Sequence, residues 1–137
     1  MNITVTIDRP KDRQSKETRG IVQIFEGNHL LIKEYFISGP WGKGHAPVGK
    51  YLVTRIQLKL DEAFKRCGFG WNTDMIPQFE TDRTMLGLHP DGGNWVGTQG
   101  CIGLQFCTNE FNKKFYNLLK SGLDKGNIEL EVVDVRN

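Results

Sequence analysis

What this chain has little of narrows its chemistry first. It holds three cysteines, Cys67, Cys101 and Cys107, an odd and sparse set unlike the even frameworks that staple small secreted domains, so at least one thiol is expected to be free. Its net charge is only +2, too small for a phosphate-binding surface, which argues against nucleic acid or an anionic membrane as partner. No apolar run approaches the ~20 residues that span a bilayer. The opening MNITVTIDRP has neither the basic start nor the apolar core of a signal peptide. Without a leader, the protein is expected to stay cytoplasmic unless a non-classical route exports it. Histidine is scarce too: His29, His45 and His89 all precede Cys101.

Glycine, by contrast, reaches 16 residues, and together with 38% hydrophobic and 25% charged residues this favours a turn-rich, strand-rich single domain over 1–137. Period-two alternation of Ile3, Val5 and Ile7 predicts a strand over 2–8 that Pro10 closes. Arg9 to Arg19 carries charges of both signs with no apolar period and reads as a solvated loop. Apolar runs at 20–26 and 29–37, separated by Gly27-Asn28, predict a hairpin, with His29 as surface structure beside its turn. Residues 51–57 predict a further strand.

In LKLDEAFKRC (58–67), Leu60, Ala63, Phe64 and Cys67 fall at helical spacing, which predicts a short helix that buries Cys67 and ends at Gly68. Residues 68–84 read as irregular. Thr108 as N-cap, with Phe111, Phe115, Leu118 and Leu119 on one face, predicts the main helix near 108–121, and IELEVVDV (128–135) the last strand. The expected fold class is mainly β (α+β).

The stretch that reads as a site is MLGLHPDGGNWVGTQGCIGLQF, residues 85–106. Two short apolar runs flank a loop rich in glycine, with His89 ending the first run and Cys101 opening the second. A thiolate attacks where a thiol does not, and a nearby imidazole generates it, so this pair is the minimum equipment of a cysteine nucleophile. Gly100 lets the backbone turn so that N–H groups near the thiol aim at a developing oxyanion. Asp91, Asn94 or a backbone carbonyl are the candidates to orient His89. Trp41 and Trp95 are candidates for a groove wall, with core packing as the other reading.

Residue order excludes a papain-like arrangement at Cys101, since there the histidine follows the cysteine. Cys67 with His89 has that order, but the proposed helix places Cys67 in the core. A mixed zinc site from His89, Asp91 and Cys101, with His45 as fourth ligand, is a further alternative, although the paired spacings of such sites are missing. No metal or other cofactor is expected.

TQGCIGL (98–104), preceded by LHPDG (88–92), resembles the catalytic signature of the L,D-transpeptidases of the YkuD type. GHAPVGKYLV (44–53) resembles the segment that begins a strand of that fold. The resemblance implies mixed or antiparallel β-sheets in a β-sandwich or barrel, and a cysteine-dependent L,D-transpeptidase or L,D-carboxypeptidase acting on peptidoglycan stem peptides. Carried over by position, Cys101 is the nucleophile and His89 the base. Gly100 sits in the turn that shapes the oxyanion hole and Thr98 matches the family's Ser/Thr, with Gln99 between them in the site loop; apart from the resemblance, Asp91, Asn94 and Trp95 are the candidate substrate-binding residues. Gln99 stands where the family has a second histidine, and Gly103 where many members carry Arg or Asn. The alternative is therefore a catalytically inactive wall-binding or structural module. Short forms of this motif resemble type VI secretion effectors and phage-type relatives, which implies action in the periplasm or cell wall and an immunity protein as a possible partner.

Overall fold

The computed structural model describes residues 1–9, 17–92 and 97–136, with the Arg9 side chain outside that set. The strand stop at Pro10, most of the loop that follows it, and the candidate residues Asn94 and Trp95 lie outside the described residues. The chain is mainly β with one α-helix. Strands β1 (Asn2–Arg9), β2 (Thr18–Glu26) and β3 (His29–Ser38) form an antiparallel meander, and Gly27-Asn28 makes the β2–β3 turn with Glu26 opposite His29. Gly27 has φ 59°, the left-handed conformation that such a two-residue turn demands. Strand β9 (Ile128–Asp134) runs parallel to β1, and β4 (Gly49–Leu58) pairs antiparallel with β9.

Two regions differ from expectation. The first part of the segment read as irregular is a strand, β6 (Phe69–Pro77), that pairs with β4, while 78–84 is irregular as expected. Trp71, Thr73 and Met75 point inward at period two, a signal that Gly70, Asn72 and Asp74 between them obscured. The short helix at 58–67 shrinks to a single 3-10 turn, Glu62–Phe64. Sheet pairing wins because Leu58 stays opposite Trp71, the Lys59 N–H donates to Gly70 O at 2.9 Å, and Leu60 is left 89% exposed with no face to bury. Lys65–Arg66 (β5) then pairs with β6 around Cys67 and Gly68, both at positive φ. Cys67 is thus exposed in a tight turn, not buried on a helix.

The sheet order is β5-β6-β4-β9-β1-β2-β3-β8-β7, where β7 is Leu88–Pro90 and β8 is Ile102–Leu104. Its ends approach each other, since the Met75 N–H donates to Leu86 O at 2.8 Å and the Thr73 hydroxyl bonds the Leu88 backbone in both directions. The result is a nearly closed mixed barrel. Helix α1 (Asn109–Leu123) starts at Thr108, whose hydroxyl accepts from the Phe111 N–H, and buries Phe115, Tyr116 and Leu119. Trp71 stacks on Phe115 at 6.0 Å, and its indole N–H donates to Asn112 Oδ1 at 2.7 Å. Among the described residues no helix is long and apolar enough to cross a membrane.

Candidate active site

Cys101 and His89 share a cleft because β7 and β8 run parallel, with Leu88 opposite Ile102 and His89 opposite Gly103. Paired residues project to one face, and the face alternates along each strand. Cys101 lies two residues before Gly103, and it lines the same cleft as His89. The cleft has a volume of about 660 Å3, and Trp41, Phe64, His89, Asp91, Gln99 and Cys101 are among its walls.

His89 is buried, and its Nδ1 lies 2.7 Å from the Pro90 carbonyl, which can only accept. The proton therefore sits on Nδ1, and Nε2 keeps its lone pair. Of the three orienting groups weighed from the sequence, the structure supplies a backbone carbonyl. Phe64 meets the imidazole edge-on, ring centroids 4.9 Å apart. Burial lowers the His89 pKa below its ordinary 6.5, with the Pro90 bond and the Asp91 charge opposing. Asp91 is also buried. Its carboxylate accepts from Gln105 Nε2 at 2.7 Å, and burial raises its pKa against that bond and the nearby His89 and Arg66.

The Cys101 thiol is partly exposed and donates to Met85 O at 3.5 Å. Burial raises its pKa, while the Gly87 N–H and the Arg83 charge pull it down. A lowered imidazole beside a raised thiol rests as a neutral pair, not as thiolate and imidazolium.

The turn before Cys101 is fixed by polar side chains. The buried Thr98 hydroxyl donates to Cys101 O at 2.5 Å and accepts from the N–H groups of Gly39 at 3.1 Å and Gly100 at 3.2 Å. Ser38 donates to Gly100 O at 3.3 Å and accepts from the Ala46 N–H at 2.9 Å. Backbone bonds from Thr98 N–H to Gly39 O and from Trp41 N–H to Thr98 O lay the turn alongside residues 39–41. Gly100 has φ 129°, closed to side-chain-bearing residues, and a Cβ there would lie 2.1 Å from Arg83 Nη2.

Gly103 also has a physical reason. A Cβ at 103 would come within 2.9–3.0 Å of Thr98 Cγ2 and the Asp91 side chain, so those two residues occupy the space that a larger side chain would need. Sequence reasoning missed Ser38, Arg83 and Gln105. Arg83 sat in the stretch read as irregular, and no local pattern marks a residue whose partners are backbone carbonyls 16 to 40 positions away. The four side chains weighed as a zinc set do not gather into one. His45 turns its Nδ1 to Ala46 O at 2.7 Å, and no group of three or more metal-ligating side chains forms among the described residues. No family model, curated protein or solved structure matches this chain.

Proposed function

We propose that this is a cysteine-dependent L,D-transpeptidase or L,D-carboxypeptidase of the YkuD type, acting on peptidoglycan stem peptides. The observation that carries the reading is the joint placement of the Cys101 thiol and a His89 imidazole whose free nitrogen is fixed by the Pro90 carbonyl, both in one cleft. Substrate entry displaces water and draws the thiol from the Met85 carbonyl to His89 Nε2, which takes its proton. The thiolate attacks the carbonyl that precedes a terminal D-residue. The Gly100 N–H is committed to Thr98, so the neighbouring Cys101 N–H is the donor best placed for the oxyanion. The imidazolium returns its proton to the departing amine, leaving a thioester. An amine or water, deprotonated by His89, then attacks the thioester and frees the thiol.

The pair's neutral resting state supports a site that ionises only with substrate bound. It also means that slow labelling of the empty protein is compatible with activity. The test is incubation with purified muropeptides, following stem-peptide length by mass spectrometry. The wild type is expected to shorten or exchange the peptide and Cys101→Ala to leave it intact, whereas intact peptides with the wild type would leave the inactive wall-binding module as the better account.

A further inference from the structure

We propose that Arg83 is a positioning residue for the nucleophile: its guanidinium ties the Lys43–His45 loop to the turn before Cys101 and sets a positive charge beside the sulfur. Four bonds make the tie. Nη1 donates to Lys43 O at 3.3 Å and His45 O at 3.1 Å, and Nη2 donates to Gly44 O at 3.1 Å and Gln99 O at 3.4 Å. Only a planar fork reaches so many carbonyls at once; an ammonium on a single stem does not.

The guanidinium rests against the bare Cα of Gly100, since a Cβ there would be 2.1 Å from Nη2. That contact puts the cation one residue from Cys101. Among the described residues no carboxylate pairs with Arg83, and its neighbour Asp82 is engaged by Lys43 at 2.7 Å. Carbonyl partners satisfy the N–H groups without neutralising the charge, so Arg83 favours the thiolate of Cys101 against the larger, opposing effect of burial. Among the described residues, the ionisable groups that line the cleft with Cys101 are His89 from β7 and Asp91 just beyond it. The same four bonds hold the loop that follows Trp41, so one residue sets both the thiol's surroundings and a wall of the cleft.

This assignment rests on the reading of Cys101 as a nucleophile, but its test needs no substrate. Arg83→Gln and Arg83→Lys are alkylated with iodoacetamide across pH, and each cysteine is followed by peptide mass spectrometry. Cys67 and Cys107, both exposed, serve as internal controls. The midpoint of the profile reports charge at the sulfur, and the plateau reports access. Arg83→Gln is expected to move the Cys101 midpoint up by about 0.5–1 unit, roughly three- to tenfold slower labelling below it, with the controls unmoved. Arg83→Lys should move it less, while amide exchange at 43–45 and 98–100 rises in both variants.

An unchanged Cys101 midpoint in Arg83→Gln, or equal shifts at all three cysteines, overturns the proposal. If Arg83→Gln fails to fold, Arg83→Lys decides it: exchange at 43–45 and 98–100 matching the wild type overturns the tie. A shifted midpoint in a protein that leaves muropeptides untouched would sink the enzymatic reading and leave the role of Arg83 standing.

Discussion

The two ends of this barrel are held by different forces. At one end Trp71, Phe106, Phe115 and Leu119 pack to complete burial, each side chain worth about 1.5–3 kcal/mol in non-directional apolar transfer. At the other end the Cys101 turn is held by hydroxyls and a guanidinium on backbone groups, each bond netting only ~0.5–1.5 kcal/mol but fixing direction. Bulk burial tolerates small displacements, and directed bonds do not. The α1 end supplies stability, and the Cys101 end turns that stability into placement of a thiol.

The sharpest way to break this division is a pair of variants. Phe115→Ala should cost about 3–5 kcal/mol in denaturant unfolding, while the folded fraction keeps the kcat of the wild type. His89→Gln should do the reverse, lowering turnover by roughly 10²–10⁴-fold with the unfolding midpoint nearly in place. If both variants lose stability and turnover in proportion, the two ends are not separable. A smaller effect is expected for Thr98→Val, which leaves the N–H groups of Gly39 and Gly100 without their acceptor. It should cost about 1–3 kcal/mol and lower kcat more than it raises KM, read from unfolding and steady-state kinetics together.

The same contrast explains what the sequence made legible. Strands β1, β2, β3, β4 and β9 and helix α1 were readable because alternation and the Thr108 cap are written in neighbouring residues. The β6 strand hid behind the polar residues and the glycine that alternate with its inward side chains, and the false helix at 58–67 had the right spacing but nothing to bury against. At the site, the Cys101 and His89 positions were legible from residue type and spacing, and the structure brings Asp91, Thr98 and Gln99 to the same cleft. Ser38 and Arg83 were not legible, because they act across the fold on backbone groups that no pattern marks, and Gln105 was not, because its partner is the Asp91 carboxylate on another strand end. Gly103, read from the sequence as a departure from the transpeptidase pattern that the chain resembles, is fitted to the bulk of Thr98 and Asp91.

The smallest effect concerns pH. The folded pKa of His89 lies below its unfolded value of 6.5, so below pH 6.5 the unfolded chain binds the additional proton. The contribution of neutral His89 to stability is full above pH 6.5 and declines as pH falls toward the folded pKa. Unfolding free energy measured between pH 7 and 5 should therefore fall more steeply for the wild type than for His89→Gln. Parallel slopes would mean that the imidazole is not held neutral by burial.

Covalent acylation of Cys101 is what the proposed chemistry requires, and intact-protein mass spectrometry of a rapidly quenched mixture with a stem tetrapeptide detects it. The expected mass increase equals the acyl donor less the free D-amino acid released, mapped to Cys101, absent in Cys101→Ala and slow to form in His89→Gln. Shortened peptide product with no adduct on Cys101 at any quench time, or an adduct on Cys67 or Cys107 instead, would contradict it.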